Sequence, residues 1–379
     1  MSQMPGHENV FLLILFSVFV FTSAVQLFYY LFFYLAVPLY KHPGKNSVSD
    51  PVSVIICARN EAENLKKFLP AVLSQDYPDY EVIVVNDCSE DSTFEVLGEL
   101  LPQYPKLKVS TVAKDPKFSH SKKFAQFIGI KAAKNDILLF TDADCKPDSD
   151  KWLEGMVSHF DDKTDFVIGY GGYIRTRGLL NRYIRYDTMT IALQYLGMAI
   201  RGLPYMGVGR NLAYRRSVFF DKKGFGSYKD VVSGDDDLFV NAYATRENTS
   251  VEFRIENHTR SVPCSRIGQW LTQKRRHMTS APHYKFHDKL LVASEPLSRI
   301  LYYASFAVLL SMLFMWPVVV AIFAVRLIVQ IIVLEKGRKT LNENGLLGYW
   351  LFFDIFSPVI NGIVYLTSKL GKPGKNKWK

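Results

Sequence analysis

From Val10 to Tyr40 the chain carries no charged residue. The run "FLLILFSVFVFTSAVQLFYYLFFYLAV" is longer than the roughly 20 residues an α-helix needs to cross the hydrocarbon of a bilayer. A cleaved secretory leader would have a basic start, a shorter apolar run and a small-residue cleavage site. This segment has none of these and is read as a retained anchor. A second apolar region, Leu297–Leu334, is long enough for a helical hairpin bent near Trp316 and Pro317. A third, Gly348–Leu370, contains Asp354, Pro358, Asn361 and Gly362, so it could span, re-enter or lie along the interface. Arg326 inside the hairpin is costly against lipid and is expected to pair within the bundle or snorkel.

Basic residues near membrane segments mark the cytoplasmic side. Lys41 and Lys45 follow the first apolar run, and "EKGRK" follows the hairpin. The hydrophilic body, residues 46–292, is therefore expected in the cytoplasm. It would lie between an anchor at 1–45 and a membrane region with a basic tail at 293–379, in a plasma (inner) membrane. Cys57, Cys88, Cys145 and Cys264 have neither zinc-type spacing nor the pattern of a disulfide framework. The triplets at Asn248 and Asn257 would be glycosylation sites only on the other side of a membrane, and such triplets also arise by chance. A net charge of +10 suits anionic lipid and phosphorylated ligands, and by itself would suit nucleic acid equally.

Within the body, "VSVIIC" (52–57), "YEVIVVND" (80–87), "LKVSTV" (107–112) and "DILLFT" (136–141) read as strands separated by helices. Apolar strands alternating with helices indicate an α/β fold with a mostly parallel sheet covered on both faces. In such sheets ligands bind beyond the carboxyl ends of the strands. Asp142 and Asp144 emerge there, at the end of the fourth strand. Two carboxylates at that edge suit a hard cation, Mg²⁺ or Mn²⁺, shared with substrate phosphates. The blander alternative is helix capping, which is the role expected of Asp148; Ser89 or Asp91 is expected to cap the helix after the second strand.

"ARNEAENL", "VVNDCSEDST" and "SKKFAQFIGIKAAKNDILLFTDADC" together resemble the nucleotide-sugar-binding half of membrane-bound family 2 glycosyltransferases. The family's GT-A fold is a Rossmann-like sheet flanked by helices, here accompanied by N- and C-terminal membrane helices. The resemblance implies that Glu61 and Asp87 contact the uridine or its ribose, with Ala58 and Arg59 forming the adjoining wall. Asn86 replaces the first acid of the family's aspartate pair. Lys122 and Lys123 would help neutralise the diphosphate, Asp144 would be the principal metal ligand, and Asp142 would bond nearer the sugar.

Further on, "YMGVGRNLAYRR" would floor the acceptor pocket with Gly209 and Asn211. "SGDDD" resembles the acidic step of hyaluronan and cellulose synthases. There the second acid is the base, which is Asp236 here, with Asp235 assisting and Asp237 in reserve. "QKRRH" resembles their Q-x-x-R-W motif as Gln273, Arg276 and His277, with the arginine facing the leaving diphosphate. Histidine in place of tryptophan argues against processive polymerisation. The resemblance extends to ceramide glucosyltransferase-like enzymes. It implies an inverting, metal-dependent transfer from a nucleotide-sugar donor, expected to be a UDP-sugar, to a lipid or glycan acceptor at the membrane, without nucleic acid. A processive polysaccharide synthase is the runner-up, and a non-catalytic membrane scaffold is the alternative of another class. The sequence leaves the oligomeric state open.

Overall fold

The computed structural model describes residues 6–44, 50–113, 121–228, 231, 233–346 and 348–370. Its central sheet has seven strands: β1 (Val52–Ala58), β2 (Tyr80–Asp87), β3 (Leu107–Val112), β4 (Ile137–Asp142), β6 (Phe166–Gly169), β8 (Leu212–Arg215) and β9 (Thr249–Glu252). Their order is β3-β2-β1-β4-β8-β6-β9. The four strands expected from sequence pair in parallel. By contrast, β8 runs antiparallel to both β4 and β6.

Alternate residues of these strands feed two apolar layers. Ile55, Ile83, Val85, Leu138 and Phe140 face one way, and Val54, Ile56, Val82, Val84 and Leu139 face the other. That two-sided burial explains why the strands read as unbroken apolar runs. Strand register aligns the ligand edge: Ala58 pairs with Asn86, and Cys57 with Asp142.

A smaller three-stranded sheet, β5 (Cys145–Pro147), β10 (Thr259–Ser261) and β7 (Gly171–Tyr173), sits directly beyond β4. The Val262 N–H donates to the Asp144 carbonyl at 3.2 Å, which ties the turn after β4 to this sheet.

Among the described residues, three helical stretches are long and apolar enough to cross a membrane: Val10–Leu39, Trp316–Thr340 and Trp350–Ser368. The hairpin expected from sequence is there, with its break at Met312–Met315; Trp316 and Pro317 open the following helix, where a missing proline N–H costs nothing. The preceding helix, Phe286–Ser311, runs without interruption through residues 292 and 293. The expected boundary between body and membrane region therefore falls inside one rigid element.

Arg326 is buried among these helices. Its guanidinium meets Asp354 at 2.7 Å, and Arg299 meets the other Asp354 oxygen at 3.0 Å and Glu295 at 2.7 Å. A charge pair of this kind is how polar groups persist at membrane depth. The first span includes a π-helical segment, Tyr29–Tyr34, that packs on the helix Leu179–Ile200. A Cβ at Gly197 would come within 2.2 Å of the Phe33 carbonyl oxygen, so only glycine permits this approach.

Candidate functional site

Beyond the carboxyl ends of β1 and β4 lies a cavity of about 1740 Å³. Arg59, Glu61, Lys122, Asp142, Asp144, Gly209, Asp235, Asp236, Gln273 and Arg276, all named from sequence, line it together. Ala58, Asp87 and Asn211 do not; each is fully buried behind the wall. Asn211 has its side chain committed to the scaffold. Its oxygen accepts from Trp152 Nε1 at 2.9 Å, and its amide donates to the Tyr170 and Asn257 carbonyls at 3.0 and 2.9 Å.

Lys122 opens the helix Lys122–Ala132, whose first turn Ser121 caps by accepting from the Phe124 N–H. Its ammonium lies 2.9 Å from Asp142 and 3.1 Å from Asp235, joining the end of β4 to the acidic triplet. Burial opposes its charge, but Asp142, Asp235 and Asp236 hold the Lys122 pKa well above its ordinary value. Burial likewise works against ionised Asp142, and Lys122 wins by holding the carboxyl below its ordinary range. Lys123 also lines the cavity, and its ammonium donates to the Tyr228 and Val231 carbonyls at 2.8 and 2.6 Å, holding the segment that leads towards the triplet.

The triplet itself divides into three roles. Asp237 is buried and accepts from Ser280 Oγ, from Tyr284 Oη at 2.7 Å and from the Leu238 N–H at 2.8 Å. These bonds lock the start of the helix Asp237–Tyr243 to the segment after Gln273 and Arg276. Asp236 accepts from the Gly209 N–H at 2.5 Å and the Asp237 N–H at 2.8 Å. Burial first, then the neighbouring Asp235 and Asp237, push its carboxyl up to about 7. A carboxylate poised there is matched to proton transfer at neutral pH. A Cβ on Gly209 would sit 3.1 Å from the Asp236 carboxylate and 3.4 Å from the Lys122 ammonium, so the glycine makes this close approach possible.

Arg276 and Gln273 come from the helix Ile267–His277, which buries Trp270 edge-on against Tyr183 and turns its basic last turn to the cavity. Gln273 accepts from the Cys264 thiol at 3.4 Å. At the cavity mouth, partial desolvation and then the cations Arg276 and Arg210 lower the His277 pKa.

Asp142, Asp144 and Cys145 present ligand atoms within 4.8 Å of one another. Burial and the two aspartates keep the Cys145 thiol well above its ordinary pKa. Two of the three donors are carboxylate oxygens, the hard ligands that Mg²⁺ and Mn²⁺ prefer. Asp148 departs from the expected capping role: it accepts from Arg260 Nε at 3.0 Å, while Ser149 Oγ takes the N–H at the start of the next helix. At the other expected cap, Asp91 serves, accepting from the Thr93 N–H at 3.1 Å and the Ala62 N–H at 3.2 Å.

Arg210 was not singled out from sequence. It lines the cavity, stacks on Tyr173 at 4.4 Å from the ring centroid and adds positive charge beside Asp142. Its only sequence signal is its place directly after Gly209.

A mostly parallel α/β sheet with paired acids at its ligand edge defines a GT-A-type glycosyltransferase fold. A solved structure, the mannosyltransferase PcManGT from Pyrobaculum calidifontis in complex with GDP-Man and Mn²⁺, superposes with a TM-score of 0.62 at 16% identity, covering 94% of this chain and 99% of that one. Residues 53–220, a little under half of the chain, match the model for glycosyl transferase family 2. Glycosyltransferase AglE of Haloferax volcanii is 41% identical over 109 residues, 28% of this chain and 34% of AglE. The 4,4'-diaponeurosporenoate glycosyltransferase of Staphylococcus haemolyticus is 34% identical over 122 residues, 32% of this chain and 30% of that protein. The matched stretch thus spans about a third of each relative's length.

Proposed function

We propose that the protein moves a sugar from a nucleoside diphosphate-sugar to an acceptor held in the membrane, with inversion at the anomeric carbon. The observation that carries this reading is the continuity of one cavity. The residues Asp142, Asp144, Asp236 and Arg276 line it together with Pro296, Leu297 and Ile300 of the helix Phe286–Ser311, which leads into the apolar helices, and Leu366 of the candidate span Trp350–Ser368. A water-soluble donor and a lipid-borne acceptor can therefore meet at Asp236.

Asp236 takes the proton of the acceptor hydroxyl as that oxygen bonds to the anomeric carbon and the bond to the diphosphate breaks. One displacement on the face opposite the leaving group inverts the centre. Arg276 and Lys122 face the charge that builds on the diphosphate, where prepositioned cations lower the barrier most. Glu61 and Arg59 stand where the nucleoside would lie. Asp142 and Asp144 would hold a divalent cation, which when bound screens the diphosphate. The neighbour's GDP-Man and Mn²⁺ support both a nucleotide-sugar and a divalent ion. That neighbour's donor is a guanosine nucleotide, so GDP stands beside the expected uridine nucleotide as a candidate. The basic residues after the first span support a catalytic body on the cytoplasmic face.

Titration of UDP and GDP into the purified protein, with Mn²⁺ or with chelator, tests the donor site. Metal-dependent binding of one nucleotide, weakened at least about tenfold in Asp144→Ala, is the expected result. Equal affinity with and without metal would remove the cation from this account.

A further inference from the structure

We infer that His42, His159 and Glu252 form a binding site for a divalent transition metal of the Zn²⁺ type, which pins the exit of the first span to the edge of the central sheet. The site is separate from the transferase chemistry, since none of the three residues lines the cavity. Three distant parts of the chain supply the donors. His42 follows the candidate span Val10–Leu39, His159 follows the helix Trp152–Val157, and Glu252 ends β9, an edge strand of the sheet. One ligand atom from each lies within 4.8 Å of the other two. The His159 and Glu252 side chains are buried, and that of His42 is 17% exposed, so an ion would enter past His42.

The bonds around the cluster aim its donors. His159 Nε2 faces Glu252 Oε2 at 2.6 Å, while Ser250 Oγ meets the other ring nitrogen, Nδ1, at 2.9 Å. Ser250 and Glu252 stand two apart on β9 and so share a face. A hydroxyl either donates to Nδ1 or accepts from it. As an ion takes the place between Nε2 and Glu252, the Nε2 proton can therefore move to Nδ1 and be received by Ser250. That outer hydrogen bond is the one metal-bound imidazoles make. Glu252 is oriented by Arg254, whose N–H donates to Oε1 at 2.7 Å and whose Nη1 donates to Oε2 at 2.9 Å. Each carboxylate oxygen has two lone pairs, so these bonds leave room for an ion. The Arg254 charge weakens the site without filling it, because the guanidinium is turned to Glu252 and, at 2.8 Å, to the Pro43 carbonyl.

His42 Nδ1 carries the inference. It is buried, has no hydrogen-bond partner and stands 3.9 Å from Glu252 Oε1. That gap is too long for a hydrogen bond. It is close to the separation of two ligand atoms that share one ion at roughly 2.0–2.1 Å each. The rings of Tyr40 and Phe253 pack edge-on against His42, with centroids at 5.0 and 4.5 Å, and hold its orientation. Buried polar atoms are as a rule satisfied by a partner, and a shared ion would satisfy this one. Two imidazoles and a carboxylate are a donor set Zn²⁺ accepts, with its fourth position left to water.

Full-length protein stripped with chelator can be titrated with Zn²⁺ against a chromophoric chelator. One tightly bound equivalent and a raised melting temperature are expected. His42→Ala and His159→Gln should each weaken Zn²⁺ by at least about tenfold, since even loss of an outer hydrogen bond to a metal ligand costs that much. Asp144→Ala, at the cavity's carboxylate pair, should leave Zn²⁺ affinity unchanged. Co²⁺ in place of Zn²⁺ should give a visible absorption band that disappears in His42→Ala, a readout of ligation that a change in stability alone does not produce. A wild type that binds no Zn²⁺, equal Zn²⁺ affinity in His42→Ala, or a Co²⁺ band that survives that substitution overturns the inference. Zn²⁺ binding lost in Asp144→Ala and kept in His42→Ala would place the ion in the cavity and overturn it equally.

Discussion

Replacing Asp236 by Asn removes the proposed base while keeping its shape. The wild-type carboxylate accepts two backbone N–H bonds, from Gly209 at 2.5 Å and Asp237 at 2.8 Å. An asparagine retains one acceptor oxygen and loses the other, at a stability cost of about 1 kcal/mol, so the fold and the donor site should persist. Chemistry should suffer far more, because a positioned base contributes about 10²- to 10⁴-fold in rate. The pH profile separates these effects. With the Asp236 carboxyl raised to about 7, only the ionised form accepts a proton, and wild-type kcat/KM should climb about tenfold per pH unit below 7 and level off above. The variant should show the loss in kcat, an unchanged donor KM and no such limb. The assay is nucleoside diphosphate release with matched transfer to acceptor, from pH 5 to 9. Turnover within about threefold of wild type, or a limb near pH 7 that survives the substitution, would refute the assignment.

Three further outcomes follow from the same geometry. A folded-state pKa above the unfolded value contributes stability at low pH that is lost as pH rises through about 7, so the stability of Asp236→Asn relative to wild type should be higher at pH 8 than at pH 4, by calorimetry. Gly209→Ala should lower kcat with little change in melting temperature, because its Cβ would press on the Asp236 carboxylate and the Lys122 ammonium. Glu343→Gln should destabilise the chain by about 3–5 kcal/mol in a denaturation series, since Glu343 is fully buried against Arg185 and Arg260 and its loss strands Arg185 and leaves Arg260 with Asp148 alone.

Glu343 also shows where sequence reasoning stops. It sits in the segment between two apolar helices, and nothing local marks it as the partner of Arg185 and Arg260, more than eighty residues away. The four parallel strands were legible because each is buried on both faces and so keeps an uninterrupted apolar run. The strand Leu212–Arg215 carries no sign of its antiparallel direction, because strand polarity is set by tertiary pairing. Asp142 and Asp144 could be named because two carboxylates at a strand end suit a hard cation, and Asp236 and Arg276 because their motifs resemble those of membrane-bound synthases. Their meeting in one cavity could not be read, since it depends on Lys122 reaching both Asp142 and Asp235. Lysine pairs look alike in sequence: Lys122 faces the carboxylates, while Lys123 secures a loop. Asn211 and Asp148 show the reverse, polar residues near the site whose bonds are spent on scaffold.

The most direct test of a donor site joined to a membrane acceptor is transfer of labelled sugar into the lipid phase by the full-length protein in vesicles of native lipid, with Mn²⁺ or with chelator. The account predicts metal-dependent label in the lipid extract, lost in Asp236→Asn. Label that stays in the aqueous phase as free sugar or high-mass polymer would contradict it.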